Sequence, residues 1–198
     1  MKLYNTLIFT VFLLLSKAAY SSSSTEAEAI FAGGCFWCME PPFDKLGGVK
    51  STTSGYIGGS AASANYKAVS TGGTGHYEAV KVVYDPTKVS YQQLLDVFWK
   101  NIDPFDARGQ FCDKGDSYLS GIFFLNDEQK RLAVASQKKV MTLFEQKVVT
   151  EVLPASPFYD AEKYHQDYYQ RNPIRYRFYR HGCGRDKRLE EIWGEPDS

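Results

Sequence analysis

The chain of 198 residues is long enough for one domain with a substantial core, and its hydrophobic content of 43% is typical of a globular protein. Its 23 Lys and Arg side chains balance 23 Asp and Glu side chains, so it lacks the basic excess of nucleic-acid-binding and membrane-surface proteins. The 14 tyrosines and 13 phenylalanines suit a pocket lined by rings, although core packing can also use them.

The N-terminal segment, residues 1–21, is predicted to be a signal peptide and not part of the fold. Lys2 precedes an apolar run from Leu7 to Leu15, and the small residues around Tyr20 fit a cleavage site. An uncleaved membrane anchor is the alternative, but this run is well short of the roughly 20 residues that a spanning helix needs. We therefore expect export to a periplasmic or extracellular compartment, where disulfides persist, and a mature chain that begins near Ser22.

The mature chain alternates between strand and helix patterns. In chain order, its first half predicts a strand at 28–34, a helix at 35–40 that Pro41 and Pro42 disturb, strands at 48–59 and 76–86, and a Ser90-capped helix at 90–102. Its second half predicts strands at 117–127 and 148–156, and helices at 127–146 and 160–172, the last one stopped by Pro173. The tail, residues 175–198, is predicted to be extended and rich in turns.

This element order, β-α-β followed by β-α-β-α-β, predicts the fold class. We expect one α/β (α+β) domain over residues 22–198, built as a two-layer sandwich with a ferredoxin-like core. Its mixed sheet would carry helices mainly on one face, and the extended C-terminal tail would wrap over the domain.

Four cysteines carry the most informative chemistry: Cys35, Cys38, Cys112 and Cys183. A structural zinc site usually needs two paired ligand clusters, but only one C-x-x-C motif is present, so we predict no metal. Two structural disulfides are an alternative in an exported protein, with three possible connectivities. We favour a reactive Cys35, because it follows a strand and two glycines and opens a helix, whose N-terminus should lower the pKa of the thiol.

The neighbouring cysteine leaves a second enzymatic interpretation open. A thiol-disulfide oxidoreductase carries C-x-x-C between a strand and a helix, as Cys35 and Cys38 do here, although the Pro41-Pro42 pair interrupts a helix that usually continues. Cys183 has a glycine on each side, so it can move as a resolving cysteine must in order to reach a modified Cys35. An unpaired cysteine in a turn explains that position equally well.

One acidic residue lies where a strand favours burial. Glu78 shares a face of its strand with Val80 if side chains alternate, so desolvation would raise its pKa and make it a candidate general acid. An exposed glutamate at a strand end is the commoner case. Asp113 and Tyr118 precede the next strand, and Tyr66 lies in a loop. Each is ordinary alone, but together they could surround a thiol.

Reduction of a methyl sulfoxide would use all of these groups. A Cys35 thiolate attacks the sulfur while a protonated Glu78, with phenols as further donors, protonates the departing oxygen. Phe36 and Trp37 would form an apolar slot for the methyl group. Cys35 is left as a sulfenic acid, which a second thiol converts to a disulfide.

Over nearly its whole length from about Glu26, the sequence resembles the peptide methionine sulfoxide reductase A family. Five motifs in order make the resemblance more specific than the first motif alone. They are GCFW at 34–37, GYIGG at 55–59, YKAVSTGGTGHYEAV at 66–80, DKGDSYLS at 113–120 and CGRDKRLEEIWG at 183–194.

The resemblance implies a role for each matching residue. Cys35 matches the nucleophile of the family and Glu78 its proton donor, whereas Phe36 and Trp37 match its methyl pocket. Cys183 matches the recycling cysteine of those members that have one at this position.

The resemblance also implies substrates and partners. Tyr66, Asp113 and Tyr118 match polar substrate contacts, and the substrate would be the S epimer of methionine sulfoxide, free or in protein. Thioredoxin or a similar dithiol would be the reductant, with no metal or organic cofactor. We expect a monomer that binds neither nucleic acid nor, after signal cleavage, a membrane.

Three positions depart from the family pattern or stay outside it. Many members have Gly where Cys38 stands, so Cys38 either traps the sulfenic acid itself or simply packs in the helix. Leu119 replaces a common Arg, and Cys112 is interpreted as a bystander. The alternatives are therefore an exported thiol-disulfide oxidoreductase that uses Cys35 and Cys38, and a disulfide-stapled binding module without chemistry.

Overall fold

The computed structural model describes residues 26–194, so the predicted signal peptide lies outside the described residues. Eight strands form within this part of the chain: β1 (Ala27–Gly33), β2 (Val49–Ile57), β3 (Tyr77–Tyr84), β4 (Gly109–Gln110), β5 (Asp113–Lys114), β6 (Ser120–Phe124), β7 (Glu151–Pro154) and β8 (Phe158–Asp160). Its α-helices are α1 (Phe36–Asp44), α2 (Tyr66–Val69), α3 (Tyr91–Trp99), α4 (Asp127–Leu143), α5 (Tyr168–Arg171), α6 (Pro173–Gly182) and α7 (Arg185–Trp193).

Six of these strands form one mixed sheet in the order β7-β6-β1-β3-β2-β8. Neighbours are antiparallel except β6 and β7, which run parallel and are connected by α4. The strands β4 and β5 form a separate hairpin. The predicted mixed α/β organisation is confirmed, and the antiparallel pairing of β1 with β3 brings the end of β1 next to the start of β3.

Side-chain alternation along β1 divides the core between the two faces of the sheet. Ala29 and Phe31 belong to the larger buried cluster, which includes side chains of α1, α3 and α4. Ile30 and Ala32 belong to a smaller cluster with Phe123 of β6. Helices α1, α3 and α4 therefore pack on the same face of β1.

The first helix continues through both of its prolines, so the predicted disturbance at Pro41 is wrong. Proline removes an N–H donor from the helix. Here packing outweighs that loss, because Met39 and Phe43 are almost fully buried and the Phe43 ring lies 5.1 Å from the ring of Phe31. The Ser90 cap of α3 is confirmed, since its side chain accepts from the Gln93 N–H in a capping box.

The C-terminal quarter corrects two predictions. Most of the predicted helix at 160–172 consists of β8 and turns, and only Tyr168–Arg171 is helical. The helix that is present, α5, does end just before Pro173 as predicted, and Pro173 then begins α6, as proline at the first helical position can. The tail is not extended but forms α6 and α7, separated by Gly184 in the left-handed conformation at φ 65°.

A buried arginine explains why this tail is ordered. Arg185 is 1% exposed, and its Nη2 donates to the carbonyl oxygens of Gly33 and Asn101 at 3.1 and 2.7 Å. Its guanidinium also lies 4.3 Å from the centre of the Phe111 ring. The start of α7 is thereby attached to the end of β1, directly before Cys35.

Candidate active site

The strand-to-helix turn after β1 positions Cys35. Gly34 has φ 78°, and a Cβ atom at this position would lie 2.5 Å from the Cβ of Gln110, so glycine is required here. Cys35 follows as the N-cap residue of α1 and is 6% exposed. The predicted location of this thiol at a helix N-terminus is therefore confirmed.

Glu78 lies at the start of β3, beside this turn. It is 1% exposed, and its Oε2 accepts a hydrogen bond of 3.2 Å from the backbone N–H of Phe36. Burial raises the pKa of Glu78 to about 8, which the Phe36 hydrogen bond only partly offsets. The burial and the raised pKa predicted for this carboxyl are confirmed, so Glu78 is protonated at neutral pH.

Cys35 and Glu78 face one small cavity of about 70 Å³. Seven of the eight predicted site residues line it, and only Cys183 does not. The complete lining is Cys35, Phe36, Trp37, Tyr66, Glu78, Asp113, Tyr118 and Tyr179. Residues from the N-cap of α1 to α6 thus contribute to a single concave site.

Phenol groups supply neutral hydrogen-bond donors to the cavity. Burial raises the pKa of Tyr66 to about 12 and raises that of Tyr118 further, so both keep their hydroxyl protons. The Tyr66 backbone N–H donates to Glu162 at 2.9 Å, which fixes the start of α2. Asp113 accepts a bond of 2.5 Å from the Tyr179 hydroxyl, and burial raises its pKa as well.

Aromatic rings form the apolar part of the lining. The Trp37 indole stacks on Tyr168 with ring centres 3.7 Å apart, and its N–H donates to Nδ1 of His165 at 3.0 Å. The Phe36 ring lies 5.0 Å from the same histidine. Burial lowers the pKa of His165, which keeps it neutral as an acceptor. The apolar slot is therefore rigid before any substrate enters.

Cys38, the second thiol of the C-x-x-C motif, lies next to the Cys35 thiol. Cys38 is 2% exposed and accepts a hydrogen bond from Cys35, which lowers the pKa of Cys38 to about 6. Arg185 and Arg180 act in the same direction. Burial instead raises the pKa of Cys35, so the predicted lowering is wrong, because desolvation outweighs the effect of the helix N-terminus.

Comparison with known proteins identifies this arrangement. A family model described as peptide methionine sulfoxide reductase matches residues 27–197. The chain belongs to the peptide methionine sulfoxide reductase family. The reductase MsrA of Bacillus subtilis (strain 168) is 48% identical over 168 residues, which cover 84% of this chain and 95% of that protein.

Solved structures agree with this assignment. Mxr1 from Saccharomyces cerevisiae in reduced form has a TM-score of 0.72 and 30% identity, over 75% of this chain and 87% of that one. Mxr1 in complex with Trx2 shares the fold with a TM-score of 0.53 at 21% identity, over 77% of this chain and 91% of that one.

The remaining two cysteines of this reductase-family chain are bonded to each other. Cys112 and Cys183 form a disulfide with Cα atoms 4.8 Å apart, whereas Cys35 and Cys38 are free. The interpretation of Cys112 as a bystander is wrong, because it is the partner of Cys183. Cys112 is exposed and adjoins Asp113, so the disulfide lies beside the cavity but at the surface.

Tyr179 is the site residue that the sequence analysis missed. Its hydroxyl bonds to Asp113 and contacts Cys35, and the Cys183 N–H donates to its carbonyl oxygen at 2.9 Å. The spacing of four residues between Tyr179 and Cys183 could have indicated a shared helix face. The prediction of an extended tail hid this signal.

Among residues 26–194, every helix is too short or too polar to span a bilayer.

The buried Glu78 should also make the free energy of unfolding depend on pH. Its ordinary pKa near 4.5 rises to about 8 on folding, so between these values the folded protein binds one proton more than the unfolded chain. Stability therefore falls as pH rises through this window, by about 1.4 kcal/mol per pH unit from this group. We expect Glu78→Gln to remove this slope, measured as the difference in free energy of unfolding between variant and wild type from pH 5 to pH 8. A constant difference would contradict a raised pKa.

Proposed function

We propose that the protein reduces the S epimer of methionine sulfoxide, free or within polypeptides, and so acts as a peptide-methionine (S)-S-oxide reductase. One observation carries the proposal: the Cys35 thiol and the protonated Glu78 carboxyl face the same cavity. A nucleophile and a proton donor are therefore available to one bound group. The relatives are named peptide methionine sulfoxide reductases, which supports the reaction, and the choice of epimer is our own proposal.

The cavity supports each part of the chemical step. The Cys35 sulfur bonds to the sulfoxide sulfur while Glu78 and the phenols protonate its oxygen, and the S–O bond breaks as that oxygen leaves as water. A second water then attacks the Cys35 sulfur and returns a proton to Glu78, the new S–S bond breaks, and the thioether leaves with its electron pair. In sum, a thiol and a sulfoxide give a sulfenic acid and a thioether. A neutral Glu78 also helps the attack, because its carboxylate would raise the pKa of Cys35.

Turnover of the two pure epimers tests this proposal. We expect the protein, supplied with dithiothreitol, to convert N-acetyl-methionine-S-sulfoxide to the thioether and to leave the R epimer unchanged. Product is measured by chromatography, with Cys35→Ser as the inactive control. Reduction of the R epimer alone, or equal product from the Cys35→Ser variant, would overturn the assignment.

We propose that recycling uses both cysteine pairs. Cys38 attacks the Cys35 sulfenic acid, which forms a Cys35–Cys38 disulfide and releases water. Thiols of Cys112 and Cys183 then reduce that disulfide by exchange and become the disulfide seen in the structure. Cys183 thus keeps the recycling role predicted for it, but acts after Cys38 and together with Cys112.

Burial decides which pair an external reductant can reach. Cys35 and Cys38 are 6% and 2% exposed, whereas Cys112 is exposed. A protein dithiol needs in-line access to the sulfur it attacks. We therefore propose that a thioredoxin-like protein reduces Cys112–Cys183, and the complex of yeast Mxr1 with Trx2 supports such a partner for a protein of this fold.

Further parts of the proposal rest on the sequence and on topology. The strand order β6-β1-β3-β2 with α1 and α3 as crossovers supports a ferredoxin-like core in a two-layer sandwich. The N-terminal segment supports export by a signal peptide, after which we expect a monomer that binds neither membrane nor nucleic acid. A role in the repair of oxidised proteins under oxidative stress follows from the reaction.

One observation favours a second candidate function. Cys35 and Cys38 are hydrogen-bonded thiols at a helix N-terminus, which is the arrangement of a thiol-disulfide oxidoreductase. Such an enzyme exchanges disulfides with another protein and breaks no S–O bond, so it needs no donor to protonate a departing oxygen. The effect of replacing Glu78 therefore separates the two functions.

A further inference from the structure

A second, larger cavity of about 370 Å³ adjoins the sulfoxide cavity. The two share Trp37 and Tyr66, so a ligand that reaches Cys35 between these rings passes the larger space. Tyr164, His165, Tyr168, Asn172 and Arg175 complete its lining. Its volume lies within the range of small-molecule sites, at about 300–1,000 Å³.

The smaller cavity holds only the end of a substrate. At about 70 Å³ it has room for a methyl sulfinyl group and not for the backbone or the next residue of a polypeptide. A residue next to methionine sulfoxide must therefore lie outside it. The adjoining cavity shares Trp37 and Tyr66 with the site, and its lining residue Tyr164 is 57% exposed, so solvent and a polypeptide can reach it.

The walls of this cavity are already organised. The rings of Tyr66 and Tyr164 lie 4.3 and 4.2 Å from that of His165, and Tyr168 is stacked on Trp37. Rings that already contact each other lose little conformational entropy when a ligand binds. The walls of the cavity are therefore preorganised, which favours the binding of a flexible polypeptide.

The charged group in its lining favours a negatively charged ligand. Arg175 is exposed, and within residues 26–194 its guanidinium has no carboxylate or hydrogen-bond partner. The Asn172 side chain and the Tyr168 hydroxyl also make no hydrogen bond in this part of the chain and can donate. No carboxylate is among the described lining residues. The nearby Glu162 carboxylate is already bonded to the Tyr66 N–H and the Tyr56 hydroxyl, so Arg175 is the lining charge that an acidic ligand would complement.

We propose that this cavity binds an acidic side chain adjacent to methionine sulfoxide in a polypeptide substrate, with Arg175 as its charge partner. The inference rests on the proposed function and adds a substrate class to it. A guanidinium suits a carboxylate because it donates two parallel hydrogen bonds. Recognition by an exposed arginine adds modest specificity, which allows many oxidised proteins to be accepted.

Matched peptides test this inference. Three acetylated, amidated peptides differ only in the residue next to methionine-S-sulfoxide, which is Glu, Gln or Lys. We expect kcat/KM for the Glu peptide to exceed that for the isosteric Gln peptide by about two- to fivefold, as for an exposed ion pair, with the Lys peptide slower again. The preference should shrink at high salt, because salt screens exposed charges.

Two variants locate the effect. Arg175→Gln should make the Glu and Gln peptides equal, and Arg175→Glu should make the Lys peptide the best of the three. Arg177→Gln is the control, since Arg177 is an exposed arginine of the same helix outside the cavity. It should keep the wild-type preference.

The outcomes separate this inference from the proposed function. Equal kcat/KM for the Glu and Gln peptides in the wild type, or the same preference in Arg175→Gln, would overturn the acidic subsite while leaving reduction intact. A further comparison uses free methionine sulfoxide and its α-amide. If Arg175 raises kcat/KM only for the free amino acid, then Arg175 binds the α-carboxylate, and the acidic subsite is also overturned. Absence of reduction with every peptide would instead refute the proposed function.

Discussion

Replacing Glu78 by Gln should abolish most sulfoxide reduction, with a fall in kcat of about 10²- to 10⁴-fold, the range typical of a lost general acid. Gln keeps the size of the side chain and can still accept the Phe36 N–H bond. It cannot deliver a proton to the departing oxygen. The measurement is single-turnover formation of methionine with the fully reduced protein.

Two readouts distinguish a chemical role from a structural one. The wild-type rate should fall as pH rises through about 8, where Glu78 loses its proton, whereas the residual rate of Glu78→Gln should not follow that titration. Alkylation of Cys35 by iodoacetamide should be as fast as in the wild type or faster, because the variant lacks the carboxylate that raises the pKa of Cys35.

Glu40→Gln is the matched control for this prediction. Glu40 is fully buried, burial raises its pKa to about 7, and its Oε1 accepts from the Ser54 hydroxyl, but it does not line the cavity. We expect normal reduction in this variant. A thiol-disulfide oxidoreductase would instead retain its exchange activity in both variants, and full sulfoxide turnover by Glu78→Gln would exclude our mechanism.

The second large effect concerns the number of methionines that each chain can form without an external reductant. A fully reduced wild-type chain holds two thiol pairs, so we expect two methionines per chain. Cys183→Ser should form one and stop as a Cys35–Cys38 disulfide. Cys38→Ser should also form one and stop as a Cys35 sulfenic acid. Dimedone labelling and mass mapping of the disulfides identify these products.

The same experiment tests the order of the cysteines. If Cys183 attacked the sulfenic acid directly, Cys38→Ser would still transfer its oxidation to the Cys112–Cys183 pair and form two methionines. That count would contradict our order. With a thioredoxin-like reductant, Cys183→Ser should lose about 100-fold or more of its turnover, since an intramolecular thiol has a large effective concentration. Dithiothreitol, being small, should restore most of it.

Local sequence patterns predicted the centre of the site well. The alternation along β3 placed Glu78 on the inner face with Val80, and both are buried. The glycines after β1 placed Cys35 at the start of α1, where the structure has it. These features depend on neighbours in sequence, and periodicity therefore reveals them.

Features that depend on distant contacts were not predictable in this way. The helical tail is ordered by Arg185, which bonds to backbone oxygens 84 and 152 residues away in sequence, and Tyr179 enters the cavity only because α6 forms. The single Cys112–Cys183 disulfide is one of six pairs that four cysteines allow. The pKa of Cys35 was predicted from the helix terminus alone, whereas its burial depends on the whole site.

The Cys112–Cys183 bond closes a loop of the chain with a sequence separation of 71. In the chain-entropy description, closing such a loop restricts the unfolded ensemble and is worth about 4 kcal/mol at 25 °C. Every catalytic cycle would open and close this crosslink. The protein would then be most resistant to heat and proteolysis in its oxidised form, in which the Cys112–Cys183 disulfide is closed. It would be least resistant when all four cysteines are reduced.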